Sequence, residues 1–310
     1  MSTPINIAVL VPCHNEALSI RAVVEDFRAA LPGATVYVYD NNSTDDTLRI
    51  AADAGAVIRQ ERRQGKGHVV RRMFADIEAD VYVLVDGDDT YDASVAPEMV
   101  RRVVERNCDM VNCAREAVAD EAFRRGHRFG NWMLTFLVSQ IFGRQNNDML
   151  SGYKALSRRM VKSFPVKSEG FEIETELLVH SLELGLPIDE ISAPYRERGA
   201  GSHSKLNTYR DGLRILRLIS HLIREERPLP FFSAIAGLLL AAALVLGVPV
   251  FIEFERTGLV PRLPTAVLAT GLVLSGFLSL TIGLVLDGVA RGRRENKLLA
   301  YLTQPAPRRE

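Results

Sequence analysis

The chain has 310 residues, and its 38 basic side chains balance 38 acidic ones, so the overall charge gives no reason to expect a nucleic-acid partner. That average hides a division. Up to Arg227 apolar and charged residues alternate as in a soluble α/β domain large enough for its own core, and beyond it the chain turns membrane-like. Three cysteines, Cys13, Cys108 and Cys113, show neither metal-ligand spacing with histidine nor an even-numbered framework, which fits reduced thiols and argues against structural zinc.

In chain order, short apolar runs at 5–11, 35–39, 56–59, 81–85 and 110–113 read as strands, and Ile20, Val23, Phe27 and Leu31 share one face of an intervening helix. The alternation predicts a mainly parallel sheet with helices on both sides. The first run is too short for the apolar core of a signal peptide and leads into a polar turn, so the domain is expected to stay in the cytosol.

Three strand ends carry unusual polar loops. Pro12-Cys13-His14-Asn15-Glu16 follows the first, Asp40-Asn41-Asn42-Ser43-Thr44-Asp45 the second, and Asp86-Gly87-Asp88-Asp89 the fourth. Loops after parallel strands gather on one sheet edge, where α/β folds bind ligands. Carboxylates as close as Asp86 and Asp88 repel unless a hard cation and its phosphate oxygens neutralise them, so this end reads as a metal-nucleotide site. A solvated acidic turn is the plain alternative, just as Ser43, Thr44 and Asp45 could simply cap the next helix. Asp40, Asn41 and Glu16 offer hydrogen-bonding groups to a base and a ribose. Gly65-Lys66-Gly67 is too short for a phosphate-binding P-loop, yet its place suits a flank of the nucleotide.

Further on, Arg124, Arg125, His127, Arg128 and Asn131 stand just before an apolar stretch at 132–142, a pattern for a phosphate clamp beside a lipid-binding surface or for a solvated basic helix start. Arg210, Arg214, Arg217 and Arg224 line one side of a helix over 207–229 opposite Ile215, Leu216, Ile219, Leu222 and Ile223, as in an interfacial amphipathic helix. Uncharged stretches of 22 residues at 231–252 and 24 at 263–286 meet the roughly 20 needed to span a bilayer. Basic residues flank the pair on both outer sides, while the connecting loop carries only Arg256 and Arg262 against Glu253 and Glu255, so both termini are expected in the cytosol. The expected organisation is a catalytic domain at 1–206, the amphipathic helix, a transmembrane hairpin at 230–288 and a basic tail at 289–310.

Taken together, these motifs resemble the family 2 glycosyltransferases of the GT-A fold, a Rossmann-like α/β architecture. The match runs in order over roughly 5–206: the loops above, Asp86-Gly-Asp88 as the DxD-type motif, Asp148-Met-Leu-Ser151-Gly152-Tyr153, Gly170-Phe-Glu-Ile-Glu174-Thr-Glu176, Arg196-Glu-Arg198 and Ser202-His-Ser204-Lys205. With two C-terminal spans, the chain looks most like the polyisoprenyl-phosphate glycosyltransferases. It departs at Asn41-Asn42, where Asp-Gly is common after the first Asp, and it lacks the Gln-x-x-Arg-Trp motif of processive synthases, which favours single-sugar transfer.

The resemblance implies a UDP-sugar or other nucleotide-sugar donor, Mg²⁺ or Mn²⁺ on Asp86 and Asp88, and transfer with inversion to a polyprenyl phosphate such as undecaprenyl phosphate, serving envelope glycan or glycan-modification pathways. Pro12, Asn15, Glu16, Asp40, Asn41, Lys66, Asp86, Gly87 and Asp88 would bind the donor. Arg124, Arg125, Arg128, Asn131, Asp148, Ser151, Gly152, Glu174, Glu176 and Ser202 would line the sugar and acceptor pocket, and Arg198 and Lys205 would close over the pyrophosphate. It also implies an inner-membrane protein in contact with the bilayer, and a homo-oligomer, a tetramer in relatives. A lipid phosphate, with a second pKa of about 6, needs no general base. Two other readings of the acidic motif remain: Asp86-Gly-Asp88-Asp89-Thr90 as the Asp-x-Asp-x-Thr of a haloacid-dehalogenase-type phosphatase, and a membrane-anchored nucleotide or metal sensor without turnover.

Overall fold

The computed structural model describes residues 5–117, 148, 150–168, 170, 172–196, 224 and 227–305. The basic cluster at 124–131, the segment carrying Arg198, Ser202 and Lys205, and nearly all of the amphipathic stretch at 207–229 lie outside them.

Described strands and helices follow in the order β1 (Ile7–Cys13), α1 (Ile20–Ala30), β2 (Thr35–Asp40), α2 (Thr47–Asp53), β3 (Val57–Gln60), α3 (Lys66–Asp76), β4 (Val81–Leu84), α4 (Ala96–Glu105), β5 (Met110–Ala117), β6 (Lys154–Ser157), α5 (Arg158–Ser163), α6 (Ile173–Glu183), β7 (Ile188–Tyr195), α7 (Pro228–Thr257) and α8 (Leu263–Leu302). The strands form one sheet in the order β3-β2-β1-β4-β6-β5-β7. Only β6 runs against its neighbours, pairing antiparallel with β4 and β5, so the predicted mainly parallel sheet is what forms. The five predicted strands appear with ends shifted by at most four residues; β6, four residues with no apolar-polar alternation, gave no such signal.

The local reasons are direct. Ala8 to Val11 and Val81 to Leu84 are buried, as the middle of a sheet covered on both faces requires, so both strands read as continuous apolar runs. Ile20, Val23, Val24 and Phe27 recur at helical spacing on α1, and Ala96, Met99, Val100, Val103 and Val104 do so on α4; each set is buried in the core. Phe27 meets the Tyr153 ring edge-on at 5.6 Å, which ties α1 to the residue just before β6.

The chain divides into two compact units, Met1–Ile215 with Lys297–Glu310, and Leu216–Asn296. In the second, α7 and α8 are both long and apolar enough to cross a membrane. They meet through small residues: Ser279 donates to the Phe232 carbonyl at 3.1 Å, and Gly276 faces Leu240. Both helices outrun the predicted spans. The tail expected from residue 289 is helical as far as Leu302, and its residues from Lys297 belong to the first unit. There Lys297 pairs with Glu183 at 2.5 Å, Tyr301 donates to Asp109 at 2.8 Å, and the Arg159 guanidinium lies 5.4 Å over the Tyr301 ring.

Candidate functional site

Strand order reverses between β1 and β4, which places their C-terminal ends at the crevice where an open α/β sheet binds ligands. The loops expected to meet there are fastened to one another. Asn41 N–H donates to the Cys13 carbonyl (2.8 Å), Asn15 N–H to Ser43 Oγ (2.9 Å) and Glu16 N–H to Thr47 Oγ1 (2.9 Å), while Asn15 Oδ1 accepts the Thr44 N–H (2.8 Å). Ser19 Oγ donates to the Gly87 carbonyl at 2.7 Å, linking the start of α1 to the acidic loop. Among the described residues, four besides glycine have positive φ, and three of them, Asn15, Asn42 and Asp89, lie in these loops. Asparagine and aspartate tolerate this left-handed conformation, which lets the three loops turn sharply after their strands.

Asp40, at the end of β2, is buried and takes the Ser43 N–H on both carboxylate oxygens, at 3.2 and 3.1 Å. Gly87 has to be glycine, because a Cβ there would lie 2.6 Å from Cys13 Sγ. Burial, and then the carboxylates of Glu16, Asp40, Asp86 and Asp88, push the Cys13 thiol well above its usual pKa, so it stays protonated packing beneath the loop. Asp88 is 7% exposed and accepts the Thr90 hydroxyl on Oδ1 at 2.6 Å. Thr90 is anchored in turn, its carbonyl accepting the Arg196 N–H at 2.9 Å.

Asp86 sits in an ionic cluster that local spacing does not announce. Lys66, the first residue of α3, lies 2.5 Å from Asp86 Oδ1 and 2.5 Å from Glu174 Oε1, with side-chain exposures of 8% for Lys66, 6% for Glu174 and 30% for Asp86. Burial alone would lower the Lys66 pKa, yet Asp86 and then Glu174 raise it well above normal, so the ammonium stays charged. Glu174 is pushed up by burial, against the pull of Lys66, and its Oε2 has no hydrogen-bond partner among the described residues. Gly152 completes the cluster: a Cβ there would come within 2.3 Å of Asp86 Oδ2, and its N–H donates to Tyr91 Oη at 2.8 Å.

Other residues expected in the pocket have their polar atoms engaged within the chain. Asp148 forms a buried two-point pair with Arg115, Oδ2 to Nε at 2.6 Å and Oδ1 to Nη2 at 2.9 Å. Despite its burial, the guanidinium holds its pKa below the usual carboxylate range. Ser151 Oγ donates to the Cys113 carbonyl at 2.6 Å. Glu176 accepts the Lys167 and Ser168 N–H groups and the Ser168 hydroxyl, closing the turn before α6. These bonds hold Asp148, Ser151 and Glu176 in place within the chain. Pro12 lies within β1 beside Tyr39. Sequence reading missed Arg115, Tyr91 and Lys154; for Arg115 the available signal was its place with Asn112 and Glu116 inside the otherwise apolar β5.

Among the described residues no group of three or more His, Cys, Asp or Glu could hold a metal ion. The donor set fits a cation that brings most of its own ligands, as a metal diphosphate does, with carboxylate from Asp88 and, at the cost of competing with Lys66, from Asp86.

A mainly parallel sheet with its strand-order reversal beneath interlocked polar loops is the GT-A glycosyltransferase fold. Residues 8–164 match the family described as Glycosyl transferase family 2, and the chain belongs to it. The archaeal glycosyltransferase AglJ of Haloferax volcanii is 32% identical over 256 residues, 82% of this chain and 84% of that one. The dolichyl-phosphate hexose transferase of the same organism is 28% identical over 222 residues, 72% of this chain and 96% of its own. Among solved structures, Mycobacterium tuberculosis glucosyl-3-phosphoglycerate synthase in complex with Mn²⁺, UDP and glucosyl-3-phosphoglycerate superposes with a TM-score of 0.56 at 22% identity, covering 71% of this chain and 79% of that one, a likeness of fold. The phosphatase reading wanted the acidic motif after the first strand; it follows β4, and its would-be nucleophile Asp86 is held by Lys66.

Proposed function

We propose that this glycosyltransferase moves one sugar, with inversion, from a nucleotide-sugar, preferentially a UDP-sugar, to a polyprenyl phosphate such as undecaprenyl phosphate. The observation that carries the reading is Asp88: a nearly buried carboxylate oriented by Thr90 at the end of β4, beside the strand-order reversal. Asp88, with Asp86, would hold Mg²⁺ or Mn²⁺ carrying the donor diphosphate. A divalent cation there supplies charge neutralisation for the departing nucleoside diphosphate. Asn15, Glu16 and Asp40 face the nucleoside, Lys66 and Glu174 shape the floor near the sugar, and Arg198 and Lys205 close over the pyrophosphate.

The acceptor reading draws on the two apolar helices and on the dolichyl-phosphate relative. A lipid phosphate is already largely dianionic near neutral pH, so its oxygen attacks the anomeric carbon without a base, and Arg124, Arg125, Arg128 and Asn131 anchor it. The contacts of Lys297 and Tyr301 with Glu183 and Asp109 support a topology in which the end of α8 returns to the catalytic side of the membrane, the cytosolic side by its flanking charges.

The test is direct. Membranes bearing the protein, given undecaprenyl phosphate, Mg²⁺ and labelled UDP- and GDP-sugars, should put label into the lipid fraction, and Asp88→Asn should abolish it. Release of inorganic phosphate without labelled lipid would favour a phosphatase, and no turnover at all a sensor. Arg128→Ala should raise the KM for the lipid far more than that for the donor; equal effects would remove Arg128 from the acceptor site.

A further inference from the structure

The departure at Asn41-Asn42 has a distinct geometry. Asn41 Nδ2 donates to the carbonyls of Glu61 (2.9 Å) and Arg63 (2.7 Å), and its Oδ1 accepts the Gly65 N–H (2.7 Å). Asn42 Nδ2 donates to the Arg62 carbonyl (2.9 Å) and to Gln64 Oε1 (3.0 Å). Two adjacent amides thus spend all four N–H donors on the 61–64 stretch, binding three consecutive backbone carbonyls. The amide orientation is fixed by its partners, since carbonyls on one side demand NH₂ and an N–H on the other demands oxygen. Asn41 is 4% exposed, and Asn42 takes a φ of 64°, which asparagine tolerates.

What these amides hold matters more than their number. The loop at 61–65 runs straight into α3, whose first residue is Lys66, the ammonium between Asp86 and Glu174. A further backbone bond, Glu61 N–H to the Asp40 carbonyl at 2.9 Å, starts the loop from the end of β2. With aspartate at 41, one carboxylate oxygen would take the place of the NH₂ and face two carbonyl oxygens, both left without a donor.

We propose that Asn41, supported by Asn42, is a positioning residue that sets the 61–65 loop so that Lys66 reaches Asp86, and that it does not read the nucleobase. The inference rests on the donor-site reading above, and its test separates the two. Full-length wild type, Asn41→Asp, Asn41→Ala and Asn42→Gly are compared for kcat and KM with a panel of UDP-, GDP- and ADP-sugars, for amide exchange over 61–66, and for thermal unfolding. Losing two buried hydrogen bonds predicts a fall in kcat/KM of about 10–100-fold for Asn41→Asp. The fall should be the same for every donor, leaving the ranking of nucleotides unchanged, with faster exchange at Gly65. Asn42→Gly should lose less, because glycine is at home at that φ. Should Asn41→Asp fail to fold, Asn41→Ala, which adds no charge, gives the same readouts.

A changed nucleotide ranking in either Asn41 variant would overturn the proposal, as would wild-type exchange over 61–66 in both. If wild type transfers no sugar, the donor-site reading fails, and exchange at Gly65 still decides whether Asn41 holds the loop.

Discussion

The two halves of the sheet carry similar charged residues and put them to opposite uses. On the β3-β2-β1-β4 side, Asp88 accepts the Thr90 hydroxyl just past a strand end, and Asp86 keeps 30% of its side chain exposed although Lys66 holds one oxygen. On the β6-β5-β7 side, Asp148 is locked by Arg115, and the fully buried Lys154 donates to Asn112 Oδ1 at 2.6 Å. Asn112 in turn donates to the Asp148 carbonyl at 2.8 Å. The contrast teaches that an acidic residue in a recognisable motif identifies the neighbourhood of a site, while the partner it finds in the fold decides whether it has capacity left for a ligand.

Lys66 stands where that contrast is sharpest, and its removal should have the largest effect. Lys66→Met leaves the buried Glu174 beside the half-buried Asp86 with no cation between them, so unfolding measurements should show a loss of about 3 kcal/mol together with collapse of transfer activity. Lys66→Arg, which keeps the charge, should recover stability better than turnover; full recovery of both would mean that the ammonium's position is unimportant. Next comes Asp148→Asn, which removes the two-point carboxylate partner of the buried Arg115 guanidinium. Stability should fall by about 3 kcal/mol while the donor KM of the folded fraction stays at the wild-type value. A donor KM raised tenfold would return Asp148 to the sugar pocket.

A pH effect of similar or smaller size belongs to the closed half. Burial pulls the Lys154 pKa from 10.5 down to about 8, with Asp148 and Glu174 opposing. Between those values the unfolded chain holds a proton that the folded one lacks, so stability conferred at this position rises with pH. Measured against Lys154→Met, wild type should gain up to about 3 kcal/mol from pH 8 to 10.5; a flat difference would show that Lys154 titrates normally. The smallest effect should come from Glu176→Gln, about 1 kcal/mol of stability with unchanged kinetics, since its carboxylate accepts the 167 and 168 N–H groups.

Much of the fold was legible because its signals are local. Apolar runs bounded by polar loops mark β1, β2 and β4, helical spacing marks α1, and uninterrupted length marks α7 and α8. The chain order of the loops gave the family, although each motif alone is weak. What could not be read was pairing at a distance. Glu174 meets Lys66 across 108 residues and Arg115 meets Asp148 across 33, and no spacing rule connects either couple. Asn41 illustrates the same gap: its place in the motif suggested a nucleotide contact, whereas the fold turns its amide toward the 61–65 loop.

The central claim is that Asp88 joins a divalent cation to a nucleoside diphosphate at the end of β4. Calorimetric titration of UDP into the full-length protein, with and without Mn²⁺, for wild type and Asp88→Asn, tests it most directly. The account predicts that Mn²⁺ tightens UDP binding by about tenfold or more in wild type, on the order of 1.4 kcal/mol, and has no effect in the variant. Equal tightening in both proteins would contradict it.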